Sequence, residues 1–390
     1  MNILFTSSTP FHPLRGGVER VTDTLCKALK LRKHNVWYLH QSWYAEDRQN
    51  YDYPAPTTIL PYPKDEVQKN HQFYINFLQD HQIDVVICQD ALFNLTFNHV
   101  DNIPVKVISV IHNNPLYDYN TLWHRLISLR NDTFIEHLKR IARSCLYYKI
   151  KHQMWRQILI HFTQLYRLSD KVLLLSPHYI PAIESLDKEF LKKTDYIYNP
   201  NTYPVQNNLP SHKNKELLYV GRLYNSKRID RLLKVWSILW KEFPDWNLTI
   251  VGDGTEKENL LNLSRKLRLG NINFTGFQDP LPYYQKASIM CMTSNFEGFP
   301  MTLVEAMQFG CVPIAFDSFE AIHDTIIPGK TGEIVTSFNL NEYREKLANL
   351  MRSKDYRDQL SINAFEHVKQ FDISSIVTQW EQILNNILIG

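Results

Sequence analysis

The 390-residue sequence has little of what marks a secreted, membrane-spanning or nucleic-acid-binding protein. Its five cysteines are odd in number and scattered through mostly apolar segments, which indicates reduced thiols in a cytoplasmic protein and no metal-ligand spacing. The net charge of +3 is too small to indicate nucleic acid as a partner. No apolar run approaches the roughly 20 residues of a membrane span, and the amino terminus has no signal-peptide pattern.

Signatures of common cofactors are missing as well. Gly252 and Gly254 are not followed by the spacing of a dinucleotide fingerprint, so NAD is not expected. Gly329-Lys330-Thr331 lacks the earlier glycine and the preceding strand of a P-loop. The sequence also has no internal repeat and no low-complexity segment. We therefore expect no cofactor.

Apolar strand patterns alternate with amphipathic helix patterns along the whole sequence, of which 44% is hydrophobic. Such alternation predicts parallel sheets covered by helices on both faces, and the length suffices for two domains. The polar stretch 202–215, which contains two prolines, is typical of a linker. We therefore predict an α/β protein with Rossmann-like doubly wound domains over residues 1–200 and 201–372, and a last helix over 373–390.

The stretch 294–307 is the most informative part of the sequence. It follows a buried strand and leads into a helix predicted to begin at Thr302. This kind of junction lies at the carboxyl ends of parallel strands, and a helix start there favours a phosphate. Glu297 on the loop and Glu305 in the helix can reach different parts of one ligand. By spacing alone, the favoured interpretation is that Glu297 is a solvated loop charge and Glu305 a solvated helix carboxylate.

Three further strand ends carry candidate ligand groups. Arg222 and Lys227 stand between a strand and a helix, where two cations can hold a diphosphate, although such a pair is usually surface charge. Gly16 and Gly17 precede a predicted helix and let the backbone approach a ligand, or they form a plain turn. His112 follows a buried strand, where it is either a ligand-side group or an ordinary loop residue.

Two of these segments resemble the retaining glycosyltransferases of family 4, the glycosyl transferases group 1. Glu-Gly-Phe-Pro followed by Leu-Val-Glu-Ala-Met, within 297–307, is similar to the donor-site motif of that family. Val220-Gly221-Arg222-Leu223 with Lys227 resembles its diphosphate-binding segment, although Arg228 stands where the family has a glycine. The resemblance implies the GT-B fold, in which two Rossmann-like domains face each other across a cleft and the last helix returns to the first domain.

The resemblance also implies the roles of individual residues. Arg222 and Lys227 would stabilise the departing diphosphate, Glu297 and His112 would act at the sugar, and Glu305 would bind the ribose. The other donor-binding positions implied are Gly16, Gly17, Phe277, Gly298, Phe299, Pro300, Met301 and Thr302. No two aspartates are separated by a single residue, so the metal signature of the other large glycosyltransferase architecture is missing, and we expect a metal-independent enzyme.

Residues 137–160 contain no acidic residue. They interleave lysines and arginines with Leu146, Tyr147, Tyr148, Met154 and Trp155. Such a segment lies on an anionic membrane surface or holds a lipid-linked acceptor, and a solvated basic face over a core stripe is an equal alternative. On the membrane hypothesis, joint substitution of Lys139, Arg140 and Arg143 weakens vesicle binding.

The predicted function is transfer of a sugar from a UDP- or GDP-sugar to a glycan or lipid-linked acceptor, with retention, in surface polysaccharide or lipopolysaccharide synthesis. The predicted location is the cytoplasm, either in solution or as a peripheral protein on the inner face of the membrane. Two other classes fit the sequence, a nucleotide-sugar epimerase of the same fold and a non-catalytic nucleotide-sugar-binding partner of another transferase. Incubation of the donor without an acceptor, followed by identification of the sugar, separates the transferase from the epimerase. Detectable hydrolysis of the donor excludes the binding partner.

Overall fold

The chain folds into two parallel-sheet units. The computed structural model describes residues 1–41, 51–90, 103–120, 122, 146–210 and 212–389. The first unit consists of Met1–Ile197 with Trp380–Gly390, and the second consists of Tyr198–Gln379. Of the predicted basic segment, residues 137–145 lie outside the described residues, and so do Lys139, Arg140 and Arg143.

The described part of the first unit contains a seven-stranded parallel sheet. Its strands are β1 (Asn2–Ser7), β2 (Asn35–His40), β3 (Thr57–Ile59), β4 (Val85–Cys88), β5 (Lys106–Ile111), β6 (Lys171–Leu174) and β7 (Thr194–Tyr196). Its helices are α1 (Gly17–Leu31), α2 (Val67–Asp80), α3 (Tyr117–Asn120), α4 (Tyr147–Leu168) and α5 (Ile180–Leu186). The strand order β3-β2-β1-β4-β5-β6-β7 reverses between β1 and β4, so the ligand edge of this sheet lies beyond these two strands.

The described part of the second unit contains a six-stranded parallel sheet. Its strands are β8 (Asn214–Val220), β9 (Asn247–Val251), β10 (Ile272–Gly276), β11 (Ala287–Met292), β12 (Val312–Phe316) and β13 (Glu333–Val335). The helices are α6 (Ile229–Glu242), α7 (Lys257–Lys266), α8 (Leu281–Lys286), α9 (Met301–Gln308), α10 (Ile322–Thr325), α11 (Leu340–Arg352), α12 (Lys354–His367) and α13 (Ile373–Ile389), the last of which ends in residues grouped with the first unit. The order β10-β9-β8-β11-β12-β13 reverses between β8 and β11.

Continuous apolar runs form the central strands because helices cover both faces of each sheet. Every residue of β11 and β12 is buried. In α6 the apolar residues at helical spacing are buried, as their period predicts, at Ile229, Leu232, Leu233, Val235 and Trp236. The prediction of two doubly wound α/β domains is therefore confirmed for the fold class.

Local boundaries differ from the sequence pattern in two places. The turn pattern over 328–333 includes Glu333, but Glu333–Val335 forms the edge strand β13. The strand pattern at 196–198 corresponds to a strand that runs from Thr194 to Tyr196. The helices predicted over 339–370 are α11 and α12, and the Ser353 side chain accepts the Tyr356 N–H and caps the second.

Candidate active site

The two loops that carry the predicted catalytic residues lie side by side at the strand-order reversal of the second sheet. Residues 221–227 follow β8, and residues 293–300 follow β11, its neighbour in the sheet. The Asn295 N–H donates to the Ser226 carbonyl at 2.8 Å, which joins the loops directly. Ligands of open parallel sheets bind at such a reversal, so this edge is the candidate site.

Lys227 and Glu297, which are 70 residues apart in sequence, form an ion pair at this edge. The Lys227 ammonium donates to both carboxylate oxygens of Glu297, at 2.7 Å to Oε1 and 2.6 Å to Oε2. The side chains are 26% and 13% exposed respectively. The Ser294 hydroxyl also donates to Glu297 Oε1, at 2.7 Å. The carboxylate is therefore held in one orientation by a cation and a hydroxyl, with a small exposed fraction through which a ligand can reach it.

Arg228 stands at the position where the family has a glycine, and it adopts a backbone conformation that glycine favours. Its backbone is left-handed, with φ 48° and ψ 43°, a conformation that costs a non-glycine residue about 1–2 kcal/mol. Its guanidinium donates to both oxygens of Asp230, at 2.8 and 3.0 Å. Burial alone would raise the pKa of the Asp230 carboxyl, but Arg228 and Lys234 outweigh it and hold that pKa at about 2. The ion pair thus fixes the turn that begins α6 directly after Lys227.

Gly252 and Gly254, in the loop after β9, support the backbone of the cationic loop. A Cβ atom at Gly252, whose φ is +148°, would lie 1.9 Å from the Gly221 carbonyl oxygen. At Gly254, with φ +156°, it would lie 2.6 Å from the Leu223 carbonyl oxygen. The Leu223 N–H donates to the carbonyl of Asp253, which lies between the two glycines, at 2.8 Å. Both positions therefore require glycine, and they shape the loop that presents Arg222.

The other predicted donor-binding residues divide into exposed and packed groups. Arg222 is exposed, with its guanidinium 5.9 Å from the Tyr224 ring, and Phe277 is 62% exposed. Phe299 is buried against Tyr198 and Phe371, at ring distances of 5.8 and 5.4 Å. Phe299 therefore anchors the loop in the core of the unit, which is a packing role in this structure.

The start of α9 follows this aromatic anchor. Pro300 is the residue before the helix, Met301 is its buried first residue, and Thr302 and Gly298 are half-buried. Among the described residues, no side chain caps this helix start. The positive end of the helix dipole therefore lies beside the Lys227–Glu297 loop, where it favours an anion.

Glu305 is fully buried inside the second unit. Its Oε1 accepts the Thr202 hydroxyl at 2.8 Å, and its Oε2 accepts the Tyr284 hydroxyl at 2.9 Å. A buried carboxylate needs such donors, because a buried polar group without hydrogen bonds is costly. Glu305 and Glu297 thus lie in different environments, one fully buried and the other partly exposed.

The predicted residues of the first unit lie at the edge of its own sheet. Gly16 precedes α1 and Gly17 is its first residue, with open space where a Cβ would be. His112 follows β5, and its Nε2 lies 2.5 Å from Gln89 Oε1, directly after β4. Because an amide oxygen only accepts, Nε2 carries the proton, and Nδ1 is an acceptor that no described residue bonds. Burial lowers the pKa of His112 to about 4.

A pH dependence of stability follows from this histidine. Between about pH 6.5 and 4 the unfolded chain binds a proton at residue 112 that the folded chain does not, so stability is lost as the pH falls through this window. As the pH falls through this window, the free energy of unfolding of the wild type should decrease by up to about 1.4 kcal/mol per pH unit more than that of His112→Gln. Urea unfolding at several pH values measures this difference, and parallel pH profiles of the two proteins would contradict it.

Sequence reasoning missed two hydroxyls that bond the carboxylates of the predicted site. Ser294 lies three residues before Glu297, but its hydroxyl has no pattern of its own. Thr202 has no local signature, because it bonds Glu305 through tertiary contact. Gly252 and Gly254 had a usable signal, since their loop follows the strand next to β8 at the same sheet edge.

Known proteins resemble both halves of the chain. The family model of glycosyl transferases group 1 matches residues 204–367, and that of glycosyltransferase family 4 matches residues 15–178. An uncharacterized glycosyltransferase of Haemophilus influenzae is 33% identical over 246 residues, which cover 60% of this chain and 70% of that protein. The poly(glycerol-phosphate) alpha-glucosyltransferase of Bacillus subtilis is 25% identical over 234 residues, and the match spans 58% of this chain but 34% of that enzyme.

A solved structure has the same fold. The HepE protein of Anabaena, in complex with UDP-glucose, aligns with a TM-score of 0.75 at 17% sequence identity and covers 99% of this chain and 100% of its own. Two doubly wound parallel-sheet units of this kind define the GT-B class of sugar transferases. Within that class, the Haemophilus relative and the two family models show that the chain belongs to the glycosyl transferases group 1, family 4. The predicted family and the predicted GT-B fold are both confirmed.

Proposed function

We propose that the chain transfers a sugar from a nucleotide diphosphate sugar to an acceptor hydroxyl with retention of anomeric configuration. The observation that carries this proposal is the Lys227–Glu297 pair beside the start of α9, at the ligand edge of the second sheet. Lys227, Arg222 and the helix start supply positive charge for a diphosphate. Glu297, held by Ser294, is the acceptor for sugar hydroxyls that orients the anomeric carbon.

The chemistry assigned to these residues is stabilisation of separating charge. The bond between the anomeric carbon and the diphosphate oxygen breaks, and its electron pair leaves with the diphosphate. Arg222 and Lys227 stabilise that negative charge, which is greater in the transition state than in the bound donor. The acceptor oxygen bonds the anomeric carbon on the same face, and its proton passes to the departing phosphate oxygen, so no separate general base is needed.

The donor we favour is a UDP-sugar, and the acceptor we favour is a surface polysaccharide or a lipid-linked glycan. Support for the donor comes from the fold likeness to the Anabaena protein bound to UDP-glucose. Support for a polymer acceptor comes from the Bacillus relative, which is named for a poly(glycerol-phosphate) substrate. A thermal-shift screen of UDP, GDP and ADP sugars tests the base, with the largest shift expected for a UDP-sugar.

The reaction type is tested by incubating the protein with the donor and identifying the sugar by NMR. Donor hydrolysis or transfer that keeps the anomeric configuration supports a retaining transferase. Inversion at the anomeric carbon contradicts retention, and conversion of the donor sugar to its epimer without an acceptor identifies an epimerase. A protein that binds the donor and leaves it intact under all conditions has only a binding role.

Metal independence is part of the same proposal, because protein cations take the place that a divalent ion has in other transferases. We expect turnover of the donor to be unchanged by EDTA. Loss of activity in EDTA that Mg²⁺ or Mn²⁺ restores would contradict this assignment.

Peripheral membrane contact is proposed for α4, which contains no acidic residue. Lys149 and Arg156 are exposed on it, and Tyr148 is 83% exposed. Exposed cations and aromatics on one helix suit an anionic interface. Among the described helices, none is both long enough and apolar enough to cross a bilayer.

We expect the double variant Lys149→Ala/Arg156→Ala to bind anionic vesicles more weakly. Each cation near the membrane contributes about 1 kcal/mol to binding, so removal of both should weaken vesicle affinity roughly 30-fold. Co-sedimentation with phosphatidylglycerol vesicles measures it. The matched control is Lys188→Ala/Lys192→Ala, which removes two exposed lysines outside α4. Equal vesicle binding by the double variant and the wild type would refute the membrane role of α4.

A further inference from the structure

The segment that begins the second unit is hydrogen-bonded along α9, the helix whose start lies at the candidate diphosphate site. Residues 201–204 form hydrogen bonds with three residues of this helix, Val304, Glu305 and Gln308. The bonds join Asn201 Nδ2 to the Val304 carbonyl (3.4 Å), the Thr202 hydroxyl to Glu305 Oε1 (2.8 Å) and the Gln308 amide to the Pro204 carbonyl (2.5 Å). Of these, the bond to Glu305 is the one that involves a charged, predicted ligand-binding group.

The two hydroxyl partners of Glu305 differ in their access to solvent. Tyr284 is fully buried and forms an offset stack with Phe309 at 6.2 Å, so its hydroxyl is fixed. Thr202 is half-buried and belongs to an irregular segment with no helix or strand of its own. Of these two hydroxyl donors, Thr202 is therefore the one that is not fully buried. It is also the one whose segment has no helix or strand to hold it in place.

We propose that Thr202 occupies on Glu305 the place that a ribose hydroxyl takes when the nucleotide binds. The inference rests on the proposed function, in which Glu305 is the ribose acceptor. One neutral hydroxyl donor replaces another, so the buried carboxylate stays hydrogen-bonded in both states. Tyr284 stays on Oε2 and keeps the carboxylate oriented during the exchange. Nucleotide binding thereby detaches Thr202 from α9.

This exchange makes Thr202 a competitor of the nucleotide. Part of the binding free energy is spent on breaking the Thr202–Glu305 bond, which lowers the apparent affinity. Thr202→Val keeps the side-chain shape and removes the hydroxyl, so the free protein holds Glu305 Oε1 without this donor until a ribose supplies one. A hydrogen bond of ordinary strength then predicts UDP binding about 2- to 12-fold tighter in the variant.

Calorimetric titration of the full chain with UDP and with 2′,3′-dideoxy-UDP tests the exchange. We expect Thr202→Val to bind UDP more tightly than the wild type, Thr202→Ser to match the wild type, and the dideoxy nucleotide to show no gain in the variant. Thr202→Ala serves as a second hydroxyl-free variant if the valine protein does not fold. Hydrogen exchange of the backbone amides at 202 and 203 should also rise when UDP binds to the wild type.

The failures of the two proposals give different results. If the wild type does not bind UDP, or binds both nucleotides equally, the ribose assignment of Glu305 falls and the exchange falls with it. If the wild type prefers UDP but the hydroxyl-free variants bind it equally well or more weakly, the ribose assignment stands and the competition by Thr202 is overturned.

Discussion

Replacement of Lys227 by alanine is expected to lower kcat/KM for the sugar donor by about 10²- to 10³-fold, the effect of removing one preorganised donor to developing negative charge. The ammonium bonds both oxygens of Glu297 at 2.6–2.7 Å, so the variant loses the charge that faces the diphosphate and also the partner that holds the carboxylate. Arg222→Ala should act in the same direction, because the second cation belongs to the same loop.

The split between kcat and KM identifies the role of Lys227. A cation that acts mainly on the departing diphosphate lowers kcat, whereas one that only binds the donor raises KM. The matched control is Lys215→Ala, which removes an exposed lysine paired with Asp245. Steady-state kinetics with the donor at several concentrations measures both constants. Near-native turnover by Lys227→Ala, with the control also unaffected, would remove Lys227 from the mechanism.

Substitution of Gly252 by alanine should have the largest effect on stability. A Cβ atom there would lie 1.9 Å from the Gly221 carbonyl oxygen, and φ is +148°, a region that side chains avoid. Rotamer change does not relieve a contact between Cβ and backbone. The backbone of both glycines is also held by hydrogen bonds. The Gly252 N–H donates to the Gly276 carbonyl at 2.8 Å, and the Gly221 N–H donates to the Val251 carbonyl at 3.0 Å. Strain and overpacking together predict a loss of about 3–5 kcal/mol.

Urea unfolding of Gly252→Ala measures this loss. The control is Gly17→Ala, because a Cβ at Gly17 meets no atom within 4 Å and the residue lies in a helix, where alanine is favoured. Its stability should equal that of the wild type or exceed it by up to about 1 kcal/mol. A Gly252→Ala protein as stable as the wild type would show that the loops after β8 and β9 are not packed as described.

The fold was predictable because its signals are local and repeated. Continuous apolar runs predicted buried strands, and the 3.6-residue period predicted the buried face of α6 from Ile229 to Trp236. Short elements were harder to predict from the sequence. The three residues of β13, for example, follow a turn pattern and begin with a glutamate. Their strand character comes from pairing with β12 in the sheet.

The candidate site was predictable in its residue types and not in its contacts. Motif likeness selected Lys227 and Glu297, but the ion pair between them depends on two loops that the strand order brings together. Thr202 lies 103 residues from Glu305, and no sequence pattern indicates that it covers that carboxylate. The glycine-to-arginine departure at Arg228 was visible, but its compensation by Asp230 required the structure.

The central claim is that the diphosphate of the donor binds at the strand-order reversal of the second sheet. A crystal structure of the chain with UDP tests it most directly. We predict the β-phosphate within hydrogen-bonding distance of the Lys227 ammonium and beside the start of α9, with the ribose at Glu305. A well-ordered nucleotide bound elsewhere, in contact with neither Lys227 nor Glu297, would contradict the account.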